Sequence, residues 1–447
     1  MGSRLIRYVL VLLLLAGSTI ALLLSRGTGK RPEVELASAV ETLRPGKYQT
    51  PPTGIDSVRG ECVGEIALTP QVPRLYFKYR PYAAIYDCAS KTFEVLKSQD
   101  DAASVEDLTL MKDGYYLHQS KLANGAWEGG YYVYDRNGNE IRKFPRPSDP
   151  KFHGLILRKH DLTYQNYFHD WNAATCSQGA PYEFEIVTED RDGTTLWKWA
   201  SKDHFKVSDE VATPESIHLP SAGKLRKVGR AVRHCYTSLV RRVMPFDPPA
   251  GFLGHGDFPI FELEEDDYVH VNSLQWVGPS DDMLISARHF DTIYLIDRTS
   301  GRFKWALGGR FAKATPNRPV DDPRGGFSHP HAARIVDNML WVLDNGNLFP
   351  NLPSRVVAYQ MDSQPQPYRM EFEFLEPNGR QRYALGSIDL LDHDHLLIGW
   401  GVVNPEDVQA PQRAVSIVRL ADRKETFSID LAPGWITPWV KAYDDLH

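Results

Sequence analysis

One pattern recurs along this chain. An apolar or aromatic strand ends in an Asp- or Asn-containing turn, and a second aromatic strand follows. Tyr132-Val133-Tyr134-Asp135-Arg136-Asn137-Gly138 is one copy. Ile186 to Gly193 with Leu196-Trp197-Lys198-Trp199 is another, and Tyr294 to Gly301 with Phe303-Lys304-Trp305 is a third. Val356-Val357-Ala358-Tyr359 and Val415 to Leu420 begin further copies. Asp, Asn and Gly tolerate the positive φ of a tight turn, so each copy predicts a hairpin. Units begin near Ile66, Leu108, His153, His270, His331 and Ser387, which makes six of them. Short strands repeating in this way predict an all-β chain, and a six-bladed β-propeller in particular. Each sheet then buries both faces against its neighbours, with Trp197, Trp199, Trp305 and Trp341 packed between them. The alternative is a β-sandwich followed by a smaller β domain.

The chain has 447 residues, 11% of them aromatic, with 10 Trp and 21 Tyr. That richness suits strands and rigid binding surfaces. A net charge of −6 argues against nonspecific nucleic-acid binding, which needs a basic face. Residues 1–30 read as a membrane anchor or signal segment. Arg4 and Arg7 precede an apolar run from Tyr8 to Leu24 that is long enough for a short transmembrane helix, and an uncleaved anchor is favoured. The rest is then expected outside the cytoplasm, periplasmic or extracellular. Residues 31–57 read as a linker, 58–440 as the propeller, and about 201–265 as an insertion in it. Cys62, Cys88, Cys176 and Cys235 allow three pairings. The local pairs Cys62–Cys88 and Cys176–Cys235 are favoured.

The polar residues that stand out lie at the starts of these units: His270-Val-Asn272, Ser286-Ala-Arg288-His289, His329-Pro-His331 and Asp344-Asn345-Gly346. In a propeller the first strand of each blade lines the centre, and side chains at i and i+2 share a face. His270 and Asn272 are therefore expected together, with His331 in the phase of His270, His153 opening an earlier blade, and Arg288 nearby. Imidazole, carboxamide and guanidinium groups suit a small anion such as a sulfate ester. Asp344-Asn345-Gly346 and Arg355 also read as a turn and a strand end, and Arg288 as a possible partner of Asp291. His393-Asp-His395 reads as a solvated loop.

The segments Asp267 to Ser273, Leu284 to His289, Phe327-Ser-His-Pro-His-Ala-Ala-Arg334, Leu343-Asp-Asn-Gly346 and Leu396 to Gly401 together resemble the arylsulfotransferase family over roughly 180–430. The resemblance implies a propeller that moves a sulfuryl group from an aryl sulfate to a phenol. A histidine carries the group, and no cofactor or metal takes part. It places His331 as nucleophile and His270, Asn272 and Arg288 on the sulfuryl oxygens. His153 is placed at the leaving oxygen by blade phase, with His160 and His169 as competitors. Asn345 would support the site, Arg355 would reach the ligand, and His329 is the rival nucleophile. Two other classes compete: a noncatalytic propeller binding a glycan, peptide or protein, and a metal-dependent hydrolase or lyase built on His153, His270 and His331.

Overall fold

The computed structural model describes residues 45–70, 82–98, 103–111, 114–123, 126–135, 137–145, 155–158, 161–168, 183–190, 194–201, 204–205, 269–313, 315–349, 351–361, 368–403, 410–437 and 440–442. These residues fold as an all-β propeller. Four sheets are plain four-stranded antiparallel meanders, running Ala103–Pro145, Leu155–Ala200, Val271–Gly308 and Pro330–Leu375. Two others depart from the expected uniform unit, each having five strands taken from both ends of the chain. In one, Val440–Ala442 pairs with Glu65–Leu68; in the other, Ile55–Gly60 pairs with Lys424–Leu431. The ends are thus stitched together by strand exchange, which leaves fewer unpaired edges.

This stitching corrects one expectation. Gly46–Tyr48 pairs with Thr92–Ser98, and Ile55 begins the strand that closes the last sheet, so the β structure starts inside the segment read as linker. Pro and Gly there mark turns around short strands.

The core lies between sheets. In Asp282–Ala287, Met283, Ile285 and Ala287 pack toward Phe184, Ile186 and Trp199 of the preceding sheet. Leu284 packs toward Leu340, Val342 and Val357 of the following one. Period-two alternation with both sides apolar is what a strand needs when neither face meets water. Similar clusters join the Pro330–Leu375 sheet to the Ser387–Leu431 strands, and these to Ile66, Leu68 and Tyr82. Trp197 and Trp199 donate their indole N–H to the Arg298 and Gly301 carbonyls across one such seam, at 3.0 and 2.9 Å.

Cys62 and Cys88 form a disulfide, as expected. Cys176, Cys235, most of the 201–265 insertion and the expected anchor over 1–30 lie outside the described residues. Among the described residues no helix is long and apolar enough to cross a membrane.

Candidate active site

Two neighbouring sheets open with the same backbone device. His270 immediately precedes the strand Val271–Val277 and has φ +49°. His329 immediately precedes Pro330–Val336 and has φ +52°. The His289 amide donates to the Val269 carbonyl, and Val271 pairs with Ala287. In the next sheet Pro330 pairs with Asp344, and the Gly346 amide donates to the Ser328 carbonyl. Counted from these first pairs the two openings align, although the bulge follows Val271 in one strand and His331 in the other. His270 corresponds to His329, Asn272 to His331, and Arg288 to Asn345. This corrects the expected phase, in which His331 matched His270. A proline between the two histidines hid the frame, because Pro330 itself opens the strand. Positive φ is costly for a residue with a Cβ, and such strain concentrates at functional sites. Asp291, Ala332 and Leu385 carry it here too, at +49°, +48° and +63°.

The pair of strands is locked by side chains. The Asn272 carboxamide donates to the Pro330 carbonyl at 2.8 Å, and the Ser286 hydroxyl donates to the same oxygen at 3.1 Å. Gln275 bonds the backbone of Ile335 in both directions, at 3.1 and 2.7 Å. Asn272 is thus a strut between sheets first, with one amide hydrogen left for a ligand.

Around this seam the polar side chains are buried. His270 is 7% exposed, Asn272 4% and His331 1%, while Arg288, His289, His329, Asp291 and Asn345 are fully enclosed. The His270 and His289 rings lie 4.7 Å apart, and those of His289 and His329 lie 6.0 Å apart. Arg288 begins a short 3-10 turn, Arg288–Phe290, right after its strand. It donates to His289 Nε2 at 3.1 Å and to the Tyr383 carbonyl at 3.1 Å. The Leu385 amide donates to His331 Nε2 at 3.2 Å, and Asn345 Nδ2 donates to the Leu385 carbonyl at 3.4 Å. The segment Tyr383–Leu385 therefore holds both the guanidinium and the imidazole. Gly386 keeps it close, because a Cβ there would come within 2.2 Å of Leu343.

The electrostatics keep both imidazoles of His329-Pro-His331 neutral. Burial holds His329 well below the ordinary imidazole value, and Arg288, His289, His331 and His270 push the same way. Burial, then Arg288 and His270, does the same to His331, while the Asn345 side chain and the His329 backbone oppose it. Asp291 is pushed up to about 8, chiefly by burial and also by Asp344, against the backbone amides of His329 and Phe311 and the charge of Arg288.

Several buried polar atoms have no partner: Asn272 Oδ1, His329 Nε2, His331 Nδ1, Asn345 Oδ1 and Asp291 Oδ2. Such atoms normally find a hydrogen bond, so a group of them in one place is a mark of a ligand site.

A family model described as Arylsulfotransferase (ASST) matches residues 66–433. The chain belongs to the arylsulfotransferase family. No curated protein matches it. Among solved structures it is similar to a protein of unknown function from Bacteroides caccae, 10% identical with a TM-score of 0.47, over 85% of this chain and 100% of that one. It is also similar to Sqt1 of Saccharomyces cerevisiae, 7% identical with a TM-score of 0.39, over 88% and 97% of the two chains. TolB from Acinetobacter baumannii is 8% identical with a TM-score of 0.38, over 86% and 68%. Likenesses this distant carry no argument about function.

The structure brings together His270, Asn272, Arg288, His331 and Asn345. It does not bring Arg355 to them as a ligand contact. Arg355 is enclosed by carboxylates, meeting Asp344 at 2.8 Å, Asp322 at 2.9 Å and Glu373 at 2.7 Å. Burial alone would lower it, but Asp344 above all, and Asp322 with it, outweigh burial and keep it charged. Its role is structural, because a cation so surrounded has no donor to spare for a substrate. His153, His160 and His169 lie outside the described residues. His393 is exposed and His395 bonds Asp392, which is a surface loop. Among the described residues no three His, Cys, Asp or Glu side chains stand where they could hold a metal ion.

Three parts of the site escaped sequence reasoning. His289 adjoins Arg288 in a segment already singled out, and its letter was the signal. Asp291 was weighed only as a partner for Arg288, yet it accepts the His329 amide at 2.6 Å. The Leu385 amide has no signature at all, since nothing in a leucine predicts a left-handed backbone.

Proposed function

We propose that this protein transfers a sulfuryl group from an aryl sulfate to a phenolic acceptor, with His331 carrying the group as a sulfohistidine. What supports the reading is the partnerless, fully buried polar set around His331 in a chain of the arylsulfotransferase family. A neutral imidazole is a competent nucleophile near pH 7, and burial keeps His331 neutral. The Leu385 amide donates to Nε2, so that nitrogen carries the lone pair and Nδ1 the proton. Attack on sulfur uses this lone pair and releases the Leu385 amide, which then becomes a donor beside the sulfuryl oxygens. Arg288, His270 and the second Asn272 hydrogen oppose the oxygens' negative charge. Donors fixed before reaction contribute most there. Asn345 holds Leu385 in place from behind.

His153 remains the candidate, from sequence alone, for a further histidine at the leaving oxygen. The propeller is proposed to lie outside the cytoplasm, tethered by residues 1–30. The Cys62–Cys88 disulfide supports an oxidising compartment.

The test is direct. Full-length protein should release a coloured phenol from its sulfate when an acceptor phenol is present. His331→Asn should abolish this while thermal unfolding stays within about 1 kcal/mol of wild type. Undiminished activity in that variant removes His331 from the mechanism.

A further inference from the structure

The aromatic ring of Tyr383 has no part in the scheme above, although the backbone of this residue holds Arg288. The Arg288 guanidinium donates to the Tyr383 carbonyl at 3.1 Å and lies 5.8 Å from the centre of the Tyr383 ring. Two residues on, the Leu385 amide donates to His331 Nε2 at 3.2 Å. One short segment therefore sets a ring beside the anion-gripping cation and an amide against the proposed nucleophile. Tyr383 is only half-buried, whereas Arg288, His331 and Asn345 are enclosed. It is the half-open member of a group otherwise sealed from water.

The backbone at this point is built to aim a side chain. Strand Arg382–Ala384 pairs with Val402–Val403, and the register slips between Arg382 and Ala384, so Tyr383 is the extra residue of a bulge. A bulge bends its strand and re-aims the side chain there. The neighbouring Arg382 is spent elsewhere, in an ion pair with Glu376 and a hydrogen bond to the Arg413 carbonyl at 2.8 Å. Tyrosine suits a recognition surface, because it offers a wide, rigid face at little conformational cost. In an aryl sulfate the ring is joined to sulfur through a single oxygen. With the sulfuryl oxygens on Arg288, the attached ring comes within reach of the aromatic group beside that guanidinium.

We infer that the Tyr383 ring is the aryl-recognition surface of the site. It takes the ring of the donor sulfate and then that of the acceptor phenol, and so selects aryl groups over alkyl ones. The inference rests on the sulfuryl-transfer reading for what occupies the site. Aromatic rings pair offset or edge to face with centres about 4.5–7 Å apart, an arrangement with an electrostatic component that an alkyl group lacks. The guanidinium serves both partners: its N–H groups hold the sulfuryl oxygens, and its charge is drawn to the Tyr383 ring. An anion without a ring satisfies only the first of these contacts.

The experiment measures binding, so it does not depend on turnover. Full-length protein is titrated calorimetrically with benzenesulfonate and with cyclohexanesulfonate, which carry the same charge and cannot pass on their sulfur group. The cyclohexane ring is at least as apolar, so burial alone gives the aryl probe no advantage. Wild type should bind benzenesulfonate about 3- to 10-fold more tightly. Tyr383→Phe should keep that ratio. Tyr383→Leu should bring it to about 1 and leave cyclohexanesulfonate affinity within about 2-fold of wild type. Both variants retain the backbone carbonyl that anchors Arg288. Arg288→Gln should weaken both probes alike, by about 10-fold or more. Equal binding of the two probes by wild type, or binding of neither, overturns the inference, and this comparison needs no variant to fold. Equal loss of both probes in Tyr383→Leu also overturns it, because the ring would then only steady Arg288. A wild type that shows the expected ratio but releases no phenol from any aryl sulfate overturns sulfuryl transfer and leaves aryl recognition standing.

Discussion

The openings of the Val271–Gly308 and Pro330–Leu375 sheets share one backbone and differ in chemistry. Both place an imidazole at a left-handed residue and a polar side chain two positions on. In the first the second side chain is the amide of Asn272, and the facing residue is Arg288. In the second they are His331 and Asn345. One copy carries cation and amide, suited to gripping an anion; the other carries two neutral imidazoles, suited to nucleophilic attack. The repeat fixes where side chains point, and the letters at those points assign the work. The two arginines divide in the same way: Arg355, in the second sheet, is spent on carboxylates, whereas Arg288 bonds an imidazole and a carbonyl.

Asp291 is the joint between the two openings, and the largest expected effect lies there. Its folded-state pKa is raised from 3.8 to about 8, so its contribution to stability is complete below pH 4 and is lost as pH rises toward 8. At about 1.4 kcal/mol per unit, the loss is on the order of 5 kcal/mol. His329 and His331 act oppositely: being lowered, they cost stability as pH falls below 6.5. Denaturant unfolding of wild type and Asp291→Asn across pH isolates the carboxyl. The advantage of the variant should be absent at pH 4 and grow toward pH 8. A pH-independent difference would mean that Asp291 is ionised in the fold.

Next in size is Arg355→Met, which strands Asp322 and Asp344 without their cation. Unfolding should cost about 3–5 kcal/mol, with donor preference unchanged in whatever protein folds. Arg288→Gln should instead leave stability closer to wild type and lower transfer by about 100- to 1000-fold. If the two variants exchanged these phenotypes, the division of labour between the sheets would be wrong. The smallest effect belongs to Asn345→Ala. It loses one hydrogen bond to the Leu385 carbonyl, worth about 1 kcal/mol, and should slow transfer about tenfold.

Much of the fold was legible. Alternating apolar residues and Asp/Gly turns placed strand starts at or within a few residues of the observed ones, because strand period and turn chemistry are local properties. The strand exchange that joins the two ends was not, since the pairing partners lie hundreds of positions apart and Ile55-Asp-Ser-Val resembles any short exposed segment. Within the site, residue types announced the anion-binding set. Phase did not, because Pro330 occupies the first strand position and shifts the histidine frame by two. Arg355 misled for a related reason: a buried arginine reads alike whether it meets a substrate or a carboxylate, and Asp322 and Glu373 come from distant stretches.

The central claim is that His331 carries the sulfuryl group, and trapping the intermediate tests it most directly. Full-length protein mixed with an aryl sulfate and no acceptor, then digested under alkaline conditions, should yield one peptide heavier by a single sulfuryl group, with the modification on His331. Adding a phenol before digestion should remove it. Modification of His329 or His270 instead, or phenol release with no modified peptide at all, would contradict the account.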